Sequence, residues 1–311
     1  MKNLIKLLIK VIDKGKVVKL LRNIIHPDGI KCPVCANRMI NRKSKKHIFP
    51  RQYKCSCGKH FSETDGTILR HCRINQIGIV KVFLVIIFMC LKLSTNSISK
   101  ILEISRKTAF RLGDIILENL FAKRKELVFD GENKIDEVYI TSGSKGKELE
   151  HREGRKRALK LRGRGNYDKD KPPILGIVNR NTHLLQLFVC INVIIDTVKP
   201  LITKVLNVGS TVYTDEYSIY NWLNDYGYNH RVVCHSSCSY AIDLDDDGVN
   251  ETHCNTMEGV WSLLRQYLRQ FRGVSKEKLK YYVNFFEYSY NTNKLNSSAE
   301  EILTDLVIIY T

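Results

Sequence analysis

The hydrophobic pattern of the chain changes period along its length. Residues 1–25 alternate apolar residues with lysine at helical spacing, which predicts an amphipathic helix with a basic face. Residues 77–93 are almost continuously apolar, but Lys81 and Lys92 bound only ten apolar residues. That is too short to span roughly 30 Å of hydrocarbon, so the stretch predicts a buried helix rather than a membrane span. Next comes a helix over 97–102, a turn at Glu103-Ile-Ser105 and a second helix from Arg106, with Ser105 placed as its N-cap. After Phe121-Ala-Lys-Arg-Lys-Glu the texture becomes β-like. A strand is expected over 134–140, a hairpin over 173–190 across Asn181-Thr182, a helix over 195–206, a short strand over 211–215 and a helical stretch over 218–226. Further on, Met257, Val260, Trp261 and Leu264 recur at three-and-four spacing, and 276–291 repeat that pattern with aromatic residues on the buried side.

Charge narrows the partners. Fifty Lys and Arg stand against 32 Asp and Glu, a formal net charge of +18. Such an excess favours a polyanion, nucleic acid before a membrane surface. Ten cysteines without a recognisable signal peptide point to reduced thiols in an intracellular protein. Its compartment is the nucleus in a eukaryote, or the cytoplasm and nucleoid in a bacterium.

Two cysteine pairs carry metal-ligand spacing. Cys32-Pro-Val-Cys35 is followed twenty residues later by Cys55-Ser-Cys57. Four thiolates so spaced can close a tetrahedron around Zn²⁺, giving a zinc ribbon over 26–66. The second pair has one intervening residue where two are usual, and His60 is an alternative ligand. The basic residues between the pairs (Arg42, Lys43, Lys45, Lys46, Arg51) suit phosphate contacts. The two helices over 97–122 form a helix-turn-helix pattern within a helical region at 77–122, with Arg106, Lys107 and Arg111 as candidate DNA contacts.

Three acids then fall on one scaffold. Asp136 lies on the first strand, Asp215 ends a later one and Glu258 sits on the following helix. A strand-hairpin-helix-strand-helix order lets them converge, and an oxygen-rich site of this kind holds Mg²⁺ together with substrate phosphate oxygens. Two ions about 4 Å apart activate the attacking oxygen and stabilise the leaving one. Arg265, seven residues after Glu258, lies on the same helical side, and Asn255 adjoins it.

From about His26 to Asn291 the chain resembles DDE-type transposases of the ISXO-like insertion-sequence group and their eukaryotic Merlin relatives. The matching pieces are Pro27-Asp-Gly-x-x-Cys-Pro-x-Cys, Phe61-Ser with Gly66-Thr-Ile, Arg106-Lys-Thr-Ala, Asp136-Glu-Val-Tyr-Ile, Tyr213-Thr-Asp215 and His253-x-Asn-Thr-Met-Glu-Gly-Val-Trp-Ser-Leu-Leu-Arg. The resemblance implies an α/β fold with an RNase H-like catalytic core over 130–292, preceded by the ribbon and the helix-turn-helix region and followed by a helical tail over 293–311. It implies transposition at terminal inverted repeats, Mg²⁺ or Mn²⁺ at the catalytic acids, double-stranded DNA as partner and a homo-oligomer on paired ends. Asp136 and Asp215 carry over as the first two acids. The group differs over whether the glutamate or the asparagine of the last motif is the third ligand; charge favours Glu258, with Asn255 as neighbour or alternative. Arg265 is expected on DNA phosphate and Trp261 in the core, while Cys234, His235, Cys238 and His253 read as structural loop residues. The rival readings are a DNA-binding protein on an inactive core and an RNase H-like nuclease without strand transfer.

Overall fold

Asp13 starts the first helix of a computed structural model that describes residues 13–38, 40–42, 49–142, 165–168, 170–232, 241–242, 252–253 and 255–309. Residues 1–12 of the helix expected over 1–25, Lys43, Lys45, Lys46, the basic stretch at 151–164, Cys234, His235, Cys238 and the acidic run at 243–247 lie outside these residues. The chain divides into two compact units, Met1–Lys123 with Leu295–Thr311, and Arg124–Lys294.

In the first unit α1 (Lys14–Ile25) begins where Asp13 Oδ1 accepts the Lys16 N–H at 3.1 Å. It buries Val17, Val18 and Leu21 and leaves Lys14, Lys16 and Lys19 exposed, as its period demands. Arg22 turns inward, its Nε and Nη2 donating at 2.7 and 3.0 Å to the two carboxylate oxygens of the fully buried Glu63. The Arg51 backbone N–H donates to the same carboxylate at 2.6 Å. This joins the helix to a three-stranded antiparallel sheet of β1 (Ile40–Arg42), β2 (Gln52–Cys55) and β3 (His60–Ser62).

The apolar stretch forms α2 (Ile79–Cys90), with Ile79, Val82, Phe83, Val85, Ile86, Ile87, Met89 and Cys90 all buried. No helix among the described residues is long and apolar enough to cross a membrane. α3 (Thr95–Ile101) starts two residues before its expected position because Ser94 Oγ accepts the Ser97 N–H at 3.2 Å. α4 (Arg106–Ala122) is capped by Ser105, whose Oγ accepts the Thr108 N–H at 3.1 Å. The two helices meet closely at Gly113, where a Cβ would lie 3.0 Å from Thr95 Cγ2.

The second unit is built on a five-stranded sheet whose strands lie in the spatial order Leu185–Val189, Pro173–Asn179, Glu132–Tyr139, Thr211–Thr214, Asn229–Val232. β4 (Glu132–Tyr139), β5 (Pro173–Asn179) and β6 (Leu185–Val189) form an antiparallel meander. At its hairpin turn Asn179 Oδ1 accepts from the Thr182 N–H at 2.8 Å. The chain then crosses through α5 (Ile195–Val205) to β7 (Thr211–Thr214), which runs parallel to β4, and β8 (Asn229–Val232) runs parallel to β7. Ile135, Ile177, Val212, Val198, Ile202 and Tyr220 make the core between the sheet and the α5 layer. A short ribbon of β9 (Ala241–Ile242) and β10 (Thr252–His253) precedes α6 (Asn255–Arg269), which packs on β4, and α7 (Lys276–Lys294), which packs on β6.

Because β6 ends the sheet, its outward backbone groups need partners. Asn291 of α7 supplies both, accepting the Leu185 N–H and donating to the Leu185 carbonyl, each at 2.8 Å. Glu287 accepts the Leu187 N–H at 2.5 Å, and Arg124 donates to the Leu187 carbonyl at 2.5 Å. Arg124 also grips Glu287 directly, with Nη2 at 2.9 Å. Burial pushes the Glu287 carboxyl up to about 7, against the pull of the Arg124 charge.

The residues expected as a helical tail form α8 (Ala299–Val307) within the first unit. A capping box starts it: Ser298 Oγ accepts from the Glu301 N–H at 3.1 Å, and Glu301 accepts from the Ser298 N–H at 2.8 Å. Ile302, Leu303, Leu306 and Val307 are buried, and Asn119 of α4 donates to the Leu306 and Ile308 carbonyls at 3.1 and 3.2 Å.

Replacing Glu287 with Ala removes the carboxylate that faces Arg124 and the Leu187 N–H, leaving a buried charge unpaired. The expected loss is about 3–5 kcal/mol of unfolding free energy. Urea denaturation checks it, and a change below 1 kcal/mol would mean that the pair carries no more than an exposed one.

Candidate functional site

Asp136 lies on β4 and Asp215 directly follows β7. The parallel register sets Glu132 against Thr211, Asn133 against Val212 and Lys134 against Tyr213. Continued by two residues, it sets Asp136 opposite Asp215. Neighbouring strands are about 4.8 Å apart, so the two acids stand at one level of the sheet. Asp215 Oδ1 accepts the Tyr217 N–H at 3.1 Å, which turns the chain sharply after the strand. Burial raises the Asp136 carboxyl above the ordinary carboxylate range; hydrogen bonds from Trp261 and the Glu137 amide pull it down, and the Asp215 charge raises it again. Two acids that repel each other in a partly buried place are what a divalent cation relieves, so the donor set fits one.

The face of β4 that carries Asp136 is covered by α6. Asp136 pairs across the sheet with Gly176 of β5, and this glycine is a structural necessity: a Cβ there would lie 2.4 Å from Trp261 Cη2 and 2.6 Å from Met257 Cε. The Trp261 ring thus lies flush on the backbone, and its Nε1–H donates to Asp136 Oδ2 at 2.8 Å. The Glu137 N–H donates to the other oxygen, Oδ1, also at 2.8 Å. Trp261, expected only as core, is buried and also a direct partner of the first acid. The sequence signal that announces this is a glycine within a strand together with an indole three residues after Glu258 in the same motif.

Glu258 is exposed on the first turn of α6, three residues before Trp261 and on the same helical side. Among the described residues, the three carboxylates do not come within 4.8 Å of one another. Asn255 starts α6, and its side chain lies outside the described residues. Arg265 is exposed two turns after Glu258. It lines, with Arg269, Tyr139, Thr141 and Ser142, a cleft of about 330 Å³ that follows the same strand and helix as the acids.

The cysteines do meet. Sγ atoms of Cys32, Cys35, Cys55 and Cys57 all lie within 4.8 Å of one another. Cys32 and Cys57 are 3.7 Å apart and Cys35 and Cys55 are 3.5 Å apart, close to the roughly 3.8 Å separation of thiolates at tetrahedral corners 2.3 Å from a metal. The Cys35 amide lowers the Cys32 thiol, and the Cys57 amide holds the Cys55 thiol down to about 6. The short Cys55–Cys57 spacing is accommodated by a tight turn, in which the Gly58 N–H reaches the Cys55 carbonyl at 3.0 Å with Gly58 at φ +88°. His60, the alternative ligand, sits exposed on β3 and is not part of the group. Buried Tyr53 and Phe61 stack beneath the cysteines.

The three candidate DNA-contact residues of α4 differ in their surroundings. Arg106 and Lys107 are exposed on its first turn. Arg111 is not free with them: it is half-buried, and its guanidinium donates to the His71 carbonyl. A side chain one turn into the helix can reach back to the preceding segment, and here it does.

Residues 129–291 match the ISXO2-like transposase domain family. Over 278 residues the chain is 29% identical to a protein in transposable element ISH50 of Halobacterium salinarum, covering 89% of this chain and 90% of that one. A transposase-like protein of Haemophilus influenzae is 27% identical over 111 residues, 36% of this chain and 83% of that protein.

The Gly176→Ala variant is expected to lose about 1–3 kcal/mol, because its Cβ drives against a ring that has no room to retreat. Urea denaturation followed by tryptophan emission measures it; an unchanged midpoint would mean that the ring is not held against this strand.

Proposed function

The chain belongs to the ISXO2-like transposase family, and on that premise we propose that it binds the terminal inverted repeats of its own element, cuts the DNA strands there and joins the freed ends to a target. The observation that carries the reading is the strand register that brings Asp136 beside Asp215. The sheet order, with an antiparallel meander on one side of a central strand and parallel strands on the other, supports an RNase H-like core over 130–292.

In this reading Asp136, Asp215 and Glu258 are the acids that hold Mg²⁺ or Mn²⁺, and Asn255 is the neighbour or alternative third ligand. The bound cation supplies activation of the attacking oxygen and stabilisation of the leaving one. The chain's own contribution is position. β4 and β7 fix two carboxylates at one level, α6 carries the third, and Arg265 places a guanidinium on the strand's phosphates along the adjoining cleft. The separation of the acids in the free protein is consistent with a site completed when cation and DNA phosphate enter together.

The four cysteines hold Zn²⁺ in a ribbon over 26–66, and the helical region at 77–122 reads DNA through the N-terminus of α4. There Arg106 and Lys107 meet the duplex, while Arg111 fixes the entry of the helix. A homo-oligomer on paired ends, acting inside the cell where its DNA resides, completes the proposal.

Two experiments test it. On DNA carrying the ends that flank its own gene, the wild type with Mg²⁺ is expected to nick at the repeat boundary and to join the ends to a second DNA. Asp215→Ala is expected to lower the rate by more than about a thousandfold, since several kcal/mol of charge stabilisation are removed. Equal cutting by both proteins would overturn the assignment of Asp215, and cutting without joining would leave a nuclease. Separately, elemental analysis of the purified protein is expected to give one zinc per chain and almost none in Cys55→Ser. A native protein with four thiols freely reactive to a disulfide reagent would remove the zinc.

A further inference from the structure

Trp261 joins two elements that the proposed chemistry needs in fixed relation. Its indole N–H donates to Asp136 Oδ2 at 2.8 Å, and its ring lies in the slot that Gly176 leaves on the neighbouring strand. The helix it belongs to carries Glu258 one turn earlier and Arg265 one turn later, so all three residues share a side. A ring wedged between helix and sheet at this point therefore sets where Glu258 and Arg265 stand relative to Asp136.

The chemistry of the donor matters as much as its place. A carboxylate on a strand can rotate about its last torsion, which is soft. Here both oxygens are engaged from different directions, Oδ1 by the Glu137 N–H and Oδ2 by the indole. An ionised carboxylate has about four lone-pair sites, so each oxygen keeps one for a further partner. Lysine or arginine in the same place would also orient the acid, but would cancel the negative charge that a cation requires. An indole N–H donates only and does not titrate, so it orients the carboxylate and leaves its charge intact.

We propose that Trp261 is a positioning residue of the metal-dependent reaction: its indole N–H orients Asp136 for the cation, and its ring, seated on Gly176, locks the helix of Glu258 to the strand of Asp136. The proposal rests on the metal-binding roles read above for Asp136 and Glu258. Hydrogen-bond partners of metal ligands are worth about tenfold to a hundredfold in metal affinity or activity, and that is the effect expected here.

The chain has two tryptophans, 222 and 261. Trp222 is buried in the core of the second unit, and its Nε1 has no hydrogen-bond partner among the described residues, so Trp222→Phe removes an N–H that holds nothing. In that background Trp261 is the sole indole emitter. Adding Mg²⁺ is expected to shift its emission, with a midpoint matching that for end cleavage, and Asp136→Asn is expected to abolish the shift. In the otherwise wild-type protein, Trp261→Phe is expected to raise the half-saturating Mg²⁺ for cleavage about tenfold to a hundredfold, with the rate recovered at saturating Mg²⁺.

An unchanged Mg²⁺ midpoint in Trp261→Phe overturns the proposal while the transposase reading stands. So does a loss of cutting that no Mg²⁺ restores, accompanied by a lowered melting temperature, since packing alone then explains it. If the wild type cuts no ends, the functional reading falls and the emission titration decides. A Mg²⁺-linked shift removed by Asp136→Asn supports the tie between indole and metal ligand, and no shift overturns it.

Discussion

The register between two parallel strands is the constraint on which the site depends. Side chains alternate along a strand, so a slip of one residue between β4 and β7 would send Asp136 and Asp215 to opposite faces. A slip of two would keep the face but part the acids by two residue rises. The register is set where the two strands begin. The Phe129 N–H reaches the Val205 carbonyl at 2.7 Å before the strands begin, and the Thr211 N–H reaches the Gly131 carbonyl at 2.9 Å as they start. Ile135 and Val212 lie in the core on the α5 side and forbid either strand to turn over. Two acids that repel each other are placed side by side because apolar residues next to them have nowhere else to go.

The opposite face shows how a motif that looks like a helix stripe acquires a second duty. Met257, Val260, Trp261 and Leu264 satisfy helical spacing and are all buried, as an amphipathic helix requires. Periodicity identifies that face but says nothing of what the face touches. Gly176 is what turns packing into contact, since removing one Cβ lets the indole approach the sheet closely enough for its N–H to reach a carboxylate.

Much of this was legible in the chain. Regular elements followed their hydrophobic periods: the buried helix at Ile79–Cys90, the hairpin at Pro173–Val189 and the Ser105 cap all lie where spacing places them. Local patterns are legible because the physics that makes them acts over a few residues. The four-cysteine group was readable for a related reason, since thiol spacing constrains geometry directly, although the choice between Cys55, Cys57 and His60 needed the turn at Gly58. What escaped were contacts between residues far apart in sequence. Arg111 reaching the His71 carbonyl, Trp261 reaching Asp136 and Arg22 reaching the buried Glu63 depend on how elements pack, and no window of the sequence contains both partners.

The side chains along β6 have a consequence for how copies of the protein can meet. An edge strand with open amides and carbonyls is a template onto which another chain can add by simple hydrogen bonding. Asn291, Glu287 and Arg124 occupy those positions at Leu185 and Leu187, so on this side the sheet terminates in its own side chains. This flank is thereby guarded against strand-to-strand stacking with another copy of the chain, without a charged lysine or a bulge on the strand itself.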